Sequence, residues 1–424
     1  MKKSIIICGL LLLCIYVNAQ HTFYRTEYKH FSDALLMEAN QGNAMALNDL
    51  GSCYDRADGV PQDRQKAFEC FQKASDKGWF LAHFNLARYY ISGFACEKNY
   101  EKAVELMNKT LEKNSKFAPA QWDLAECYYN GLGTAKDMAK ALDLYKECEI
   151  AKHPNLEILY LKIAGIYEKG IDGTPDYGNA FQYWLKLAET GEKNRIIGEY
   201  KVGEYYNFGR GVERNHSEAI SWYTKAANKG HAPSQLNLAN CYIPNDYQKV
   251  VFWLTKAYEN NYLAACHNLA DCYYYGNGVE QSYEKAFEIF QKGISYNPRC
   301  LYRLGVMYRE GLGVSVDNKK GAQLLVEAAE KGIASAQYLV GMDMYNGENV
   351  SQNYKEAVRY FELALKDQYL LNDARCEIMR KLSACYRFGR GVSIDVEKAN
   401  YYMKEAARYG DADAQKLQEY LHIK

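Results

Sequence analysis

"YNFGRGVERNHSEAISWYTKAANKG", residues 206–230, places two glycines around an arginine directly after an aromatic run. Taken alone, Gly209-Arg210-Gly211 could cradle a phosphate or could merely turn the chain. The rest of the sequence decides, because nearly the same stretch is written about ten times. "YYNGLGTAKDMAKALDLYKEC" starts at Tyr128, "YYYGNGVEQSYEKAFEIFQKG" at Tyr273, "YREGLGVSVDNKKGAQLLVEAAEKG" at Tyr308 and "YRFGRGVSIDVEKANYYMKEAARYG" at Tyr386. A phosphate loop occurs once and does chemistry, whereas a unit recurring every 35 to 40 residues or so is architecture.

The first tyrosine of each copy serves as a marker: Tyr54, Tyr90, Tyr128, Tyr167, Tyr206, Tyr242, Tyr273, Tyr308 and Tyr386, with Met344 in the ninth copy. Four residues earlier stands an aliphatic residue, from Leu50 to Leu382, and three earlier a small one, from Gly51 to Ser383. Spacings of three and four lie on one helical face, and the small residue admits a second helix at close range. Glycine follows the marker at three and five residues, as in Gly131 and Gly133, where a left-handed residue would end the helix. Asp63, Asn99, Asp137, Asp176, Asn215, Asp246, Ser282, Asp317, Asn353 and Asp395 then stand where a helix cap is needed. A second helix with an aromatic stripe follows. Gly78, Gly191, Gly230, Gly332 and Gly410 close five of these, Asn114, Asn261 and Asn297 close three, and Lys152 and Gln368 stand at the other two.

These features predict an all-α chain of ten antiparallel helical hairpins with no strand signal. An extra helix is expected before the first hairpin and another, "DADAQKLQEYLHIK", after the last. The expected divisions are a signal segment at 1–19, a capping helix within 20–42, ten repeats over 43–410 and a capping helix at 411–424. Hairpins of this kind bury a core only by stacking, so 20–424 is expected to form one solenoid.

The sequence resembles the Sel-1-like repeat family, a relative of the tetratricopeptide repeat. The pattern is met most fully by Val202, Gly203, Tyr206, Gly209, Gly211, Asn215, Ala219, Trp222, Tyr223, Lys225, Ala226, Ala227 and Gly230. The resemblance implies a right-handed superhelical α/α solenoid that serves as an adaptor or scaffold for protein complexes. Some secreted, cysteine-rich members were proposed to bind β-lactams, and this chain departs from their regular paired cysteines.

Lys+Arg and Asp+Glu both number 52, so no net basic field attracts nucleic acid or anionic lipid. Lys2 and Lys3, the apolar run Ile5–Val17 and "VNAQ" read as a signal cleaved after Ala19. The chain is therefore expected to be exported, periplasmic or extracellular, and without membrane insertion after cleavage; an uncleaved anchor is the alternative. Beyond the signal lie eleven cysteines, five of them directly before the marker. Equivalent positions in stacked repeats are about 10 Å apart, beyond disulfide reach, so buried thiols are expected.

The face of the first helices turned away from the core is expected to line a concave surface. Six before the marker come Phe84, Trp122, Tyr200, His267, Tyr302 and Tyr338; five before come Asn85, Asp123, Asn237 and Asn268, with Lys162, Lys201, Arg303 and Lys381 in other copies. Two before come Glu126, Glu204 and Asp271, and one after come Tyr129, Tyr274 and Tyr345. Asparagine amides beside aromatic planes suit an extended peptide, and aromatic faces also suit a sugar ring. Packing against the next helix is the competing role for the aromatic row. No zinc-binding H-E-x-x-H, G-x-S-x-G or Walker loop is present, and no Cys/His spacing reads as a metal site. The sequence thus predicts no cofactor and no catalytic residue, and a non-enzymatic scaffold in the bacterial envelope that binds a protein or peptide. Carbohydrate or cell-wall-fragment binding is the alternative, with a β-lactam hydrolase-like activity a distant third.

Overall fold

The computed structural model describes residues 30–420; the expected signal segment lies outside them. The described residues hold 22 α-helices, one short 3-10 turn and no strand. A helix at Asp33–Asn40 precedes the first hairpin and one at Ala412–Tyr420 follows the last. Between them run pairs such as Ala118–Asn130 with Met138–Ile150 and Pro298–Glu310 with Asn318–Glu330. Hereafter the first helix of each pair is the A helix and the second the B helix. The chain divides into two compact units, separated in sequence between Asn215 and His216. That point falls inside the fifth hairpin, after the A helix Arg195–Phe208 and before the B helix His216–Asn228.

Every hairpin is closed by the same main-chain bond. The N–H of the residue capping the B helix donates to the carbonyl of the marker residue, at 2.8–3.0 Å. The pairs are Asp63 to Tyr54, Asn99 to Tyr90, Asp137 to Tyr128, Asp176 to Tyr167, Asn215 to Tyr206, Asp246 to Tyr242, Ser282 to Tyr273, Asp317 to Tyr308, Asn353 to Met344 and Asp395 to Tyr386. Because the bond uses only backbone, Met344 can replace tyrosine without opening the turn. The cap side chain then accepts from the amide three residues on, as Asp137 does from Lys140 at 3.0 Å and Asp246 from Lys249 at 3.0 Å. Where that third residue is lysine, its ammonium swings back over the marker ring. Lys66, Lys102, Lys140, Lys249, Lys285, Lys320 and Lys398 lie 4.1–5.4 Å from the ring centroids of Tyr54, Tyr90, Tyr128, Tyr242, Tyr273, Tyr308 and Tyr386. A cation on an aromatic face adds an electrostatic attraction to the closing of each such hairpin.

The two turn glycines do different work. Gly131 ends its helix in the left-handed region at φ 72°, and an added Cβ would only touch Lys136 at 3.4 Å. Gly133 is also left-handed, at φ 66°, but its Cβ would lie 2.2 Å from the main-chain carbon of Tyr100. The second glycine is therefore where one hairpin rests on the start of the previous B helix. Gly211 meets Tyr177 in the same way, Gly278 meets Tyr247, Gly313 meets Tyr283 and Gly391 meets Tyr354. The small residues inside the A helices make the complementary contact: a Cβ on Gly51 would meet the ring of Phe71 at 2.9 Å, and one on Gly341 that of Phe361 at 2.7 Å.

At the closing ends of the B helices the structure differs from the sequence pattern. Gly191 (φ −66°), Asn114 (φ −143°) and Asn297 (φ −127°) are not left-handed. Asn297 instead caps the next helix, accepting from Arg299 at 3.0 Å. Lys152, an exception in the sequence pattern, is left-handed at φ 55°. The loop geometry set by the next helix overrides the local residue preference there. The eleven described cysteines are free thiols, all buried except the partly exposed Cys96. Burial pushes the Cys127, Cys148 and Cys300 thiols up to about 12, so none is poised as a thiolate.

Gly131→Ala should cost about 1 kcal/mol, the strain of a left-handed alanine. Gly133→Ala should cost clearly more, because the Tyr100 backbone must also move. Thermal unfolding of both variants checks the order; equal losses would remove the packing role of the second glycine. Backbone N–H groups of Lys140 and Lys249 hold the Asp137 and Asp246 carboxyls below their ordinary value of 3.8. A depressed folded-state value gives stability that is present above 3.8 and lost as pH falls through the lowered value. Helicity followed by circular dichroism should thus decline on acidification below that point, and less so in Asp137→Asn/Asp246→Asn, whose amides cap without titrating.

Candidate functional site

In the first unit the outward side of the A helices is a chain of charged and aromatic groups tied from repeat to repeat. Glu126, on helix Ala118–Asn130, receives Lys162 of helix Leu156–Lys169 at 2.9 Å and also the hydroxyl of Tyr145. The same Lys162 ammonium sits 4.8 Å from the Tyr129 ring. One repeat on, Glu168 accepts from Trp184 Nε1 at 3.1 Å, Tyr205 at 3.0 Å and Lys201 at 3.3 Å. Lys201 also reaches Glu204 at 3.4 Å, and Tyr200 donates to Glu204 at 2.9 Å. Burial pushes the Tyr145 and Tyr205 hydroxyls far above the usual phenol range, so each stays a protonated donor to its carboxylate.

The second unit repeats this register with other residues. Arg303 donates from Nε to Asp271 at 3.1 Å, and its guanidinium lies 5.2 Å from the rings of Tyr274 and Tyr275 and 5.6 Å from Tyr302. His267 Nε2 lies 3.4 Å from the other Asp271 oxygen. Burial lowers the His267 value, which favours a neutral ring. Further along, Arg309 pairs with Asp343, Tyr338 donates to Glu377, and Lys381 lies 4.8 Å from the Tyr345 ring.

One rule covers the contacts of Lys162, Lys201, Arg303 and Lys381. The residue five before a marker meets, on the preceding repeat, the residues two before and one after its marker. Lys162 meets Glu126 and Tyr129, and Arg303 meets Asp271 and Tyr274; Asp123 meets Arg88 with the charges exchanged, at 3.8 Å. A second row joins the B helices: Glu149 receives Tyr183 at 2.9 Å and Lys186 at 2.6 Å, and Glu330 receives Tyr360 and Arg359.

The sequence-selected residues fall into two groups. Phe84, Asn85, Trp122 and His267 are buried and do not present a surface to a ligand. Phe84 packs edge-on against Phe117 at 5.1 Å, and Asn85 donates to Asn48 at 2.8 Å. Trp122 stacks on His153 with centroids 4.9 Å apart. For these, packing inside the protein is the role the structure shows. Asp123, Tyr200, Asn237, Asn268, Tyr302 and Tyr338 are partly exposed. Asn268 donates to Asn240 at 3.2 Å and Asn237 to Tyr223 at 3.4 Å, so the asparagines engage the protein itself. The structure brings His267 and Tyr302 together around Asp271 and Arg303. It also places exposed aromatics two residues after the marker, Phe208, Tyr275 and Phe388, which the choice of positions had passed over.

Ten segments match the Sel1 repeat: 44–79, 81–115, 118–147, 160–191, 196–231, 232–262, 263–295, 298–333, 334–368 and 377–411. The chain belongs to the Sel1 repeat family. Among Sel1-like relatives, chitin synthase regulatory factor 3 of Schizosaccharomyces pombe is 24% identical over 285 residues, 66% of this chain but 27% of that protein. An uncharacterized protein of Neisseria meningitidis is 26% identical over 385 residues, 90% of this chain and 76% of that one. A crystal structure of c5321, a protective antigen of uropathogenic Escherichia coli with an SLR fold, aligns with TM-score 0.53 at 23% identity, over 92% of this chain and 89% of that one, and supports the fold alone. Among the described residues no group of three or more His, Cys, Asp or Glu side chains could hold a metal ion, and no helix is long and apolar enough to cross a membrane.

Within the Sel1 array, Asp123 is the acid under most electrostatic tension. Desolvation between helices raises its carboxyl to about 6, against the pull of Arg88. A raised folded-state value gives stability that is full below 3.8 and lost as pH rises through about 6. Asp123→Asn should therefore raise the unfolding midpoint at pH 7, by an amount corresponding to about 1–2 kcal/mol, and change it little at pH 4. Thermal melts at the two pH values check this; equal shifts would show that charge burial is not the cause.

Proposed function

We propose that this Sel1 repeat protein is a non-enzymatic adaptor that binds a protein or peptide along its A-helix face, exported to a bacterial envelope as a periplasmic or extracellular protein. The observation that carries this is the A-helix face itself. In several repeats of each unit, tyrosine, arginine, lysine and carboxylate groups stand half-exposed, many held in place by a partner on an adjoining repeat. A surface fixed before binding loses little side-chain entropy on association, which favours recognition. Sel1 repeat proteins generally mediate protein–protein interaction. The name of the chitin synthase regulatory factor likewise points to action on another protein, although the match spans only 27% of it.

A peptide fits this face better than a sugar. Sugar rings stack on free aromatic faces, and here Tyr129, Tyr274 and Tyr345 each have a cation against the ring, at 4.8, 5.2 and 4.8 Å. Backbone amides and acidic or aromatic side chains of a peptide match such mixed groups.

The test is affinity capture from an envelope extract of the source organism. The exported chain is compared with a variant carrying Tyr129→Ala, Tyr200→Ala, Tyr275→Ala and Tyr302→Ala, after circular dichroism shows equal helicity. A protein partner retained by the first and lost, at least tenfold, by the second is the expected result. Equal retention would move binding off this face. Turnover of, or a covalent adduct with, a labelled penicillin would overturn the non-enzymatic assignment.

A further inference from the structure

The pairing rule on the A-helix face leaves one cation without its acid. Lys162 is neutralised by Glu126 at 2.9 Å, Lys201 by Glu168 at 3.3 Å and Arg303 by Asp271 at 3.1 Å. Lys381 holds the corresponding place on helix Asn372–Phe388, and the residue two before the preceding marker is there Met342. Lys381 keeps the aromatic half of the arrangement, 4.8 Å from the Tyr345 ring, without the carboxylate half.

A second cation adjoins the same tyrosine. Arg390, in the turn after that helix, donates from Nη1 to the Tyr345 hydroxyl at 2.9 Å. Its guanidinium lies 5.6 Å from the ring of Tyr354 and 5.7 Å from that of the exposed Phe388. Tyr345 and Tyr354 pack edge to face at 5.2 Å, which fixes both rings. Among the described residues neither Lys381 nor Arg390 forms an ion pair with a carboxylate. Two positive groups thus flank one tyrosine, with an exposed phenylalanine beside them and, among the described residues, no carboxylate in salt-bridge contact with either.

We propose that Lys381, Arg390 and Tyr345 form a site for an acidic side chain of the bound peptide, an Asp or Glu carboxylate taking the place that Glu126 and Asp271 fill in the other repeats. This rests on the adaptor function above and names what the C-terminal end of the face selects. The carboxylate receives one bond from the lysine and a charge-assisted bond from the free guanidinium edge, while Phe388 lies against a neighbouring apolar side chain of the peptide. The site binds without chemistry, and it needs only the geometry already present.

The probe is a phage-displayed library of random linear dodecapeptides, selected on residues 20–424. Selected peptides should be enriched in Asp or Glu. Their synthetic versions should bind at least tenfold more weakly to Lys381→Gln/Arg390→Gln, and near wild type to Lys381→Arg and to Lys256→Gln, a charge removed from the B helix Tyr247–Glu259. Replacing the acidic residue by its amide should cost the same factor in wild type and nothing further in the double variant. Peptides that bind the double variant as well as wild type, or that carry no acidic enrichment, would overturn the site while leaving the adaptor function intact. Failure to select any peptide above background would count against both.

Discussion

The hydrogen bond from the capping residue's N–H to the marker carbonyl is the constraint on which the rest depends. It joins the end of one helix to the start of the next at fixed geometry, through backbone atoms alone. In the longer turns left-handed residues supply the chain reversal, and where glycine is missing the conformation persists: Ala57 and Ala95 hold φ of 57° and 54°. Such residues carry strain that only a closed, packed hairpin sustains. With the hairpin fixed, the aromatic stripe of the B helix faces the small residues of the A helix, and Phe71 over Gly51 or Phe361 over Gly341 become the units of the core.

Stacking then explains the 39 tyrosines. Hydroxyls such as those of Tyr89, Tyr145, Tyr183, Tyr205 and Tyr360, and of the marker Tyr386, donate to Asp55, Glu126, Glu149, Glu168, Glu330 and Glu362. Most of these bonds cross a repeat boundary, and a lysine or arginine often completes a triad, as Lys398 does with Tyr386 and Glu362. A hydrogen bond to a charged acceptor contributes about 1.5–3 kcal/mol where solvent is partly excluded. The ring fills apolar space while its hydroxyl satisfies a carboxylate, so one residue type serves packing and pairing together.

The same triads differ from repeat to repeat. The register brings one residue of each repeat against two of the one before, and the identities at those three places vary along the chain. Where acid and base are both present the place is neutral and internally satisfied. Where Met342 replaces the acid, Lys381 keeps the aromatic contact without a carboxylate. On the proposed adaptor function, differences between repeats, rather than the features they share, set what the face recognises.

How much was legible in the sequence follows from the range of each interaction. Hairpins, turns, caps and the small-residue contact depend on residues a few positions apart, and the spacing of Leu, Gly, Tyr, Asp and Lys-Ala stated them without a structure. Exposure and pairing depend on the neighbouring repeat some thirty residues away. Phe84 and Trp122 therefore looked like inner-face residues yet lie buried, because Phe117 and His153 of adjoining loops cover them. Lys381 and Tyr345 stood in separate columns of the repeat pattern, and only stacking set them 4.8 Å apart. The sequence by itself determined the hairpin, because its forces are local; the tertiary structure decided which polar groups are spent on neighbours and which remain, because that balance is struck between repeats.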